Sequence, residues 1–356
     1  MLEFNRKVKV LVVDDSAIVR DILTKRLGAH PEIEVVGSAM DPYIARTKLE
    51  SQEVDVITLD IEMPRMDGLT FLKYLMRSMP MPVIIVSSLT TGTNAASMEA
   101  LECGAVDIVP KPGGPFSVEE VIDQLIPKIL ATRGMDRAKL VKAADNLHAL
   151  GASLAPKREK ILSKIATTKS LVVVGASTGG TIALEQLFRG YSQDFPSTLA
   201  VIHMPERFTK SFADRLNDIC DVTIKEAEDR EKVMPATVYI APGNFHMRVE
   251  SVGADRVIRI GTGPKVHGQR PAVDILFESA AENIGQNCMG VLLTGMGKDG
   301  AKGLLQIKQA GGFTVAQDEE SCIVFGMPKE AIALGAAAEI LPLDKIAPRI
   351  KRYSSG

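Results

Sequence analysis

The sequence predicts an α/β protein made of two doubly wound parallel-sheet domains, and three observations predict it. Short apolar runs of strand length alternate with stretches whose apolar residues recur every three or four positions. The runs end in Asp, Ser, Lys or Gly, as the carboxyl ends of parallel strands do where a ligand crevice opens. The chain of 356 residues exceeds one ordinary domain, and a basic stretch poor in bulky apolar residues divides it.

Composition narrows the function classes. With 46% hydrophobic residues, 4% aromatics and no Trp, the cores must rest on Val, Ile, Leu, Ala and Met, which excludes collagen-like, coiled-coil and disordered chains. A net charge of −2 gives no global case for nucleic acid. Cys103, Cys220, Cys288 and Cys322 stand too far apart for a zinc site or a CxxC pair, so a reducing, cytoplasmic setting is expected. No apolar stretch approaches the ~20 residues of a membrane span. The start of the chain reaches Asp14-Asp15 after a short apolar run, which suits a first strand better than a signal peptide.

Charge sets the expected domain boundaries. Residues 1–126 hold 12 basic and 19 acidic side chains, residues 127–170 hold 10 and 3, and residues 171–356 hold 20 and 22. The middle zone reads as a basic, partly helical linker over 127–168, between a first domain at 1–126 and a second at 169–350. A solvated surface explains its charge more simply than a docking role.

In the first domain, strands are expected at Val8–Val13, Ile33–Gly37, Val54–Leu59, Val83–Val86 and Asp107–Val109. Helical patterns fill Ala17–Leu27, Pro42–Leu49, Leu69–Met76 and Asn94–Cys103 between them. The strand ends carry Asp14-Asp15, Asp60, Ser87-Ser88 and Lys111-Pro112. One such Asp is ordinarily a turn former or a helix cap. Three carboxylates at one sheet edge need a cation, and an oxygen-only set suits Mg²⁺. A lysine and a hydroxyl beside it can hold a phosphoryl group, with Asp60 as the nucleophile.

This segment resembles a two-component receiver domain, including the turn Met63-Pro64-Arg65-Met66-Asp67-Gly68 and the Lys111-Pro112 step. The resemblance implies a flavodoxin-like sheet, Asp60 as phosphoacceptor, and Mg²⁺ held by Asp15, Asp60 and the Glu62 carbonyl, with Asp14 acting through water. It implies that Ser87 and Lys111 contact the phosphoryl group and that a histidine kinase donates it. Ile108 stands where the family often has an aromatic, so a switch through an aromatic rotamer is not expected.

In the second domain, the strand Leu171–Val174 runs into Gly175-Ala176-Ser177-Thr178-Gly179-Gly180 and the helical Ile182–Phe188. The turn reads equally as a phosphate cradle at a helix start and as a nucleophile elbow exposing Ser177; a capping serine is the blander third reading. A nucleophile needs a base. Of five histidines, His30 and His148 lie in the first domain and linker, while His246 and His267 lie in Pro/Gly-rich stretches. His203 follows the apolar run Thr198–Ile202 and so sits at a strand end. A third strand, Met289–Leu293, ends in Thr294-Gly295-Met296-Gly297-Lys298-Asp299-Gly300 before the helix Ala301–Gln309. Its glycines free backbone N–H groups for an oxyanion, and Asp299 can orient an imidazole or simply cap the helix. A nucleotide site explains only the first of these three strand ends. The order Ser, His, Asp differs from that of the α/β-hydrolases, so a different sheet is expected to carry the triad.

The second domain resembles the catalytic domain of the chemotaxis protein-glutamate methylesterases. The resemblance rests on the Ser177 turn, His203-Met204-Pro205 with Arg207-Phe208-Thr209, Ala241-Pro242-Gly243 with His246-Met247, Arg270-Pro271-Ala272-Val273-Asp274, and Leu293 through Gly300. It implies a Rossmann-like sheet with Ser177 as nucleophile, His203 as base, Asp299 as orienter, Thr178 as a contact of the histidine and the Met296 N–H as oxyanion donor. It implies methylated chemoreceptors as substrate, methanol as product and no cofactor in this domain, with neither nucleic acid nor membrane insertion. Deamidation of receptor glutamines would use the same triad on a poorer leaving group. Glu206 departs from the small or apolar residue common there. The competing reading is a response regulator with a non-catalytic nucleotide-binding output.

Overall fold

The computed structural model describes residues 6–88, 91–113, 117–133, 135, 137, 139 and 170–355. The chain divides into two units, Met1–Ala149 and Leu150–Gly356. Most of the linker expected over 127–168, with His148, lies outside the described residues.

The first unit holds a parallel sheet ordered β2-β1-β3-β4-β5, from β1 (Val8–Val13), β2 (Ile33–Ala39), β3 (Val56–Leu59), β4 (Val83–Ser87) and β5 (Asp107–Pro110). Helices α1 (Ala17–Gly28), α2 (Pro42–Ser51), α3 (Gly68–Ser78), α4 (Thr91–Glu102) and α5 (Val118–Ala131) connect or follow the strands. Local chemistry starts them: the side chains of Ser16, Asp41 and Asp67 accept from backbone N–H groups of the first turns of α1, α2 and α3. Ser117 and Glu120 form a reciprocal capping box on α5. The order reverses between β1 and β3, so the crevice beyond those two strands collects Asp14, Asp15 and Asp60.

The boundary expected at residue 126 falls inside α5, which continues through Pro127 to Ala131. Pro127 removes one N–H from the helix, but Ile129 is fully buried in the sheet core and the Lys128 ammonium pairs with Asp107 at 2.6 Å. Packing, which a shift in charge does not report, carries the helix past the proline.

The second unit is a seven-stranded parallel sheet ordered β14-β13-β12-β6-β7-β9-β8, with a separate antiparallel hairpin β10-β11. Its strands are β6 (Leu171–Ala176), β7 (Ser197–Ile202), β8 (Thr223–Glu226), β9 (Thr237–Ile240), β10 (His246–Val252), β11 (Asp255–Gly261), β12 (Cys288–Leu292), β13 (Phe313–Gln317) and β14 (Glu339–Leu341). The helices are α6 (Gly180–Arg189), α7 (Phe208–Ile219), α8 (Val273–Asn283), α9 (Ala301–Gln309), α10 (Met327–Ala333) and α11 (Leu343–Ser355). The central strands β6, β7 and β12 are buried at every residue and are apolar except for Ser197 and Thr198 at the start of β7, as strands covered on both faces largely are. β6 extends beyond the expected Val174 because Gly175 and Ala176 pair with Val201 and Ile202 of β7.

Helix α8 packs on the sheet through Phe277, which is fully buried, and α9 lies close against it. A Cβ on Gly303 of α9 would sit 2.5 Å from that of Phe277, so the two helices have no room to spare. Phe277→Ala should destabilise this unit by about 3–5 kcal/mol, because the cavity cannot collapse around a rigid sheet. Chemical denaturation followed by a probe in the second unit would measure it; a loss below about 1 kcal/mol would show that the helices can close the gap.

Candidate active site

Strand order brings the three expected residues of the second unit together. β6 lies between β7 and β12, and the chain direction of winding reverses there, so its carboxyl end faces a crevice. Ser177 follows β6, His203 follows β7, and the loop after β12 leads to Asp299. Ser177 N–H donates to Thr294 O at 3.0 Å and His203 N–H to Ala176 O at 3.2 Å, which locks the strand ends in register. Gly295 is demanded by close approach: a Cβ there would lie 2.7 Å from Ser177 Cβ and 2.4 Å from Met327 Sδ.

The side chains form one line. His203 Nδ1 lies 3.1 Å from Ser177 Oγ, and His203 Nε2 lies 2.7 Å from Asp299 Oδ2. His203 and Asp299 are buried, while Ser177 is partly open. Burial alone would raise the Asp299 pKa, but the bond from His203 and the N–H groups of Asp274 and Val273 outweigh it and hold the carboxyl below its usual range. An ionised carboxylate only accepts, so Nε2 carries the ring proton and Nδ1 turns its lone pair to the serine hydroxyl. The ring is thus used in the opposite sense to the serine proteases, where Nε2 faces the serine. The register explains this. Ala176 pairs with Ile202, so Ser177 and His203 are the next neighbours across adjacent strands. The near ring nitrogen reaches the serine, and the far one reaches Asp299.

Asp299 is itself held by the start of α8, with Val273 N–H donating to Oδ2 at 2.8 Å and Asp274 N–H to Oδ1 at 2.9 Å. In the loop, Ser177 N–H donates to Thr294 O and Gly295 N–H to Val324 O. Thr178 is buried, and its carbonyl oxygen accepts from Thr294 Oγ1 at 3.1 Å. Thr294 N–H donates to Gln317 Oε1 at 2.8 Å, so β13 braces the loop. Glu206 accepts from Asn244 Nδ2 at 3.2 Å, and Asn244 Oδ1 accepts from Arg270 at 2.7 Å, a chain that ties three loops together.

The first unit builds a second cluster. Ligand atoms of Asp14, Asp15 and Asp60 all lie within 4.8 Å of one another. Lys111 Nζ stands 2.7 Å from Asp60 Oδ2 and 3.1 Å from Asp14 Oδ2. Burial pushes the Asp60 carboxyl up to about 6 against the pull of Lys111, with Asp14 adding to the rise; Asp14 is raised too, chiefly by burial. Three carboxylates against one ammonium leave two formal negative charges, which one divalent cation neutralises, so the donor set fits Mg²⁺. Ser87 is buried at the end of β4, where its hydroxyl accepts from Ser97 of α4 at 3.0 Å. The Glu62 N–H donates to Asp60 Oδ1 at 3.2 Å, and its side chain turns to Ser88. Gly68 is required below Asp60: a Cβ would lie 1.9 Å from the Asp60 carbonyl oxygen.

Sequence reasoning passed over several supporting residues. Arg20 donates to the carbonyl oxygens of Asp14 and Asp15 at 2.7 and 2.8 Å and so fixes the acidic pair. Its position one turn into α1 was the available signal. Gln317 is a further example, while Val273 and Asp274 carry part of the resemblance but only the meeting of α8 with the β12 loop reveals their bonds to Asp299.

Comparisons with known proteins find relatives of both units. Residues 172–350 match the family model described as CheB methylesterase, and residues 10–125 match the response regulator receiver domain. A Syntrophus aciditrophicus protein named protein-glutamate methylesterase/protein-glutamine glutaminase 2 is 52% identical over 347 residues, 97% of this chain and 99% of its own. A Bordetella parapertussis protein-glutamate methylesterase/protein-glutamine glutaminase is 50% identical and covers 97% of each chain. The crystal structure of the Thermotoga maritima CheB methylesterase catalytic domain is similar at 42% identity and a TM-score of 0.51, over 51% of this chain and 97% of that one.

Proposed function

The chain belongs to the CheB methylesterase family, with a receiver domain ahead of the catalytic segment, and we propose that it hydrolyses glutamate methyl esters of chemoreceptors at Ser177 under control of Asp60. It is a hydrolase. The observation that carries the site assignment is the unbroken line from Ser177 Oγ through His203 to Asp299, at 3.1 and 2.7 Å. A nucleotide-binding output would have no use for that line, so the non-catalytic reading is not favoured.

His203 Nδ1 takes the hydroxyl proton as Ser177 Oγ attacks the ester carbonyl, and Asp299 stabilises the imidazolium. The carbonyl oxygen becomes an oxyanion held by the Met296 N–H. The tetrahedral intermediate collapses as His203 returns the proton to the departing methoxide, and methanol leaves. Water then repeats the sequence on the acyl-serine, releasing the glutamate. The relatives' names pair methylesterase with glutaminase, and the same steps on a glutamine amide would release ammonia. An amide expels a poorer leaving group, so the ester is the better substrate.

In the receiver, Asp14, Asp15, Asp60 and the Glu62 carbonyl would hold Mg²⁺, which neutralises charge as the phosphoryl group arrives. Lys111 and Ser87 flank Asp60 for contact with the phosphoryl oxygens. A histidine kinase of the chemotaxis system is the phosphodonor that fits a receiver, and methylated receptor segments are the substrate that fits the esterase. Among the described residues no helix is long and apolar enough to cross a membrane.

Methanol release from methylated receptor membranes, with and without a small phosphodonor, tests the reading. Release that rises when the donor and Mg²⁺ are present together is expected. No release under either condition would reject the esterase, and an unchanged rate would reject control by the receiver.

A further inference from the structure

Beside Asp299 lies a second histidine–carboxylate pair, with His267 at the surface and Asp274 buried, that the reaction described above does not use. His267 Nε2 is 3.0 Å from Asp274 Oδ2, and ligand atoms of His267, Asp274 and Asp299 lie within 4.8 Å of one another. The arrangement is not that of a metal site, because hydrogen bonds already serve both carboxylates. Asp274 Oδ1 accepts from Gly303 N–H at 2.8 Å, and Asp299 accepts from Val273, Asp274 and His203.

These bonds give Asp274 a mechanical task. Its backbone N–H, in the first turn of α8, holds Asp299 Oδ1. Its side chain meanwhile caps Gly303 in the first turn of α9, the helix that begins just after Asp299. Asp274 therefore clamps together the two helix starts between which Asp299 sits. One of its oxygens makes the clamp, and the other is pinned by His267.

The backbone around His267 supports a purpose beyond packing. Val266 and Gln269 exchange hydrogen bonds at 3.0 and 2.9 Å across the two-residue turn His267-Gly268. Both turn residues have positive φ, 52° at His267 and 77° at Gly268. Asn-Gly is the usual choice for such a turn, and histidine is one of the few other side chains that enter the left-handed region with any frequency. A non-glycine residue there still costs more than glycine, and a specific contact can hold it in place. Here that contact is the bond to Asp274, which is itself buried. A carboxylate only accepts, so His267 Nε2 carries the donated proton.

We propose that His267 is a positioning residue for the esterase, acting through Asp274 to fix Asp299 against His203. The proposal rests on the triad reading above and deepens it. Without the His267 N–H, Asp274 is free to turn away from Gly303, the clamp loosens, and Asp299 loses its fixed orientation. A shift of about 1 Å in a catalytic group can cost about 100-fold, so a partial loosening at one remove should cost about tenfold.

The test uses the full chain with methanol release from receptor membranes. His267→Ala should lower kcat about tenfold with KM unchanged, since only alignment in the transition state is lost. His267→Gln keeps an N–H donor at similar reach and should recover most of that loss. In an Asp274→Asn background, His267→Ala should change kcat by less than about twofold, because residues acting as a unit are non-additive. Full activity of His267→Ala, an equally slow Gln variant, a raised KM with normal kcat, or additive losses in the double variant would each overturn the proposal. Absence of release by the parent protein would instead reject the esterase reading on which it stands.

Discussion

Ser177→Ala is expected to lower methanol release by at least about a thousandfold while the thermal unfolding midpoint stays within a degree or two of the parent. The loss follows from the chemistry. Alanine offers no oxygen for the acyl intermediate, so the remaining N–H donors and the imidazole can only assist direct attack by water. The unchanged midpoint follows from the packing. Ser177 Oγ makes one bond, to His203 at 3.1 Å, and the side chain is partly open, while the turn itself is held by the backbone bond to Thr294. His203 remains held at Nε2 by Asp299 after the substitution. A fluorophosphonate probe should label the parent and fail on the Ala variant. Turnover by Ser177→Ala within about tenfold of the parent would remove serine from the mechanism and leave His203 to activate water.

What could be read from the sequence was what depends on strand ends. The first unit's strands and first four helices fall within a few residues of their expected positions, because each apolar run closes on a polar residue and α1, α2 and α3 open on Ser16, Asp41 and Asp67. Ser177, His203 and Asp299 were legible for the same reason: each follows a buried strand or the loop leaving one. The sense of the imidazole was not. It depends on Ser177 and His203 being direct neighbours across β6 and β7 while Asp299 arrives from the far side, a matter of register. Asp274 and His267 were hidden differently. Asp274 belongs to the Arg270–Asp274 motif, but it lies 25 residues before Asp299 and nothing in the sequence joins the two. His267-Gly268 was a usable signal, since a two-residue turn with a histidine where asparagine is normal invites the question of what the ring touches. Pro127 misled in the other direction. It marked a change of composition, yet the buried Ile129 and the Lys128–Asp107 pair lie beyond it.

Asp60→Asn should abolish acceptance of a phosphoryl group and make methanol release the same with and without phosphodonor. A carboxamide oxygen is a far weaker nucleophile than a carboxylate, and no other described side chain stands in its place. Asp60 Oδ1 is taken by the Glu62 N–H at 3.2 Å, while Oδ2 faces Lys111 at 2.7 Å. Asp14 shares that lysine at 3.1 Å and is buried, so it is the nearest substitute acceptor. Its Oδ1, however, accepts from Ser16 N–H at 2.8 Å, which turns the carboxylate toward the start of α1. Labelling with a phosphodonor should therefore give an alkali-labile acyl phosphate on the parent, dependent on Mg²⁺, and nothing on Asp60→Asn. Chelating the cation should suppress the label because three carboxylates and an incoming phosphoryl group cannot share one ammonium. The consequence for catalysis tests the coupling between the units without any assumption about how they meet. If the phosphoryl charge shifts an equilibrium between less and more active forms, the parent gains rate only as far as those forms differ in free energy, and a change from mostly one to mostly the other needs about 5 kcal/mol. Asp60→Asn removes the input and should freeze the rate at its unphosphorylated value. A phosphodonor that still accelerated the Asn variant would act on the catalytic unit directly, and an acid-stable phosphoserine on the parent would put the acceptor elsewhere.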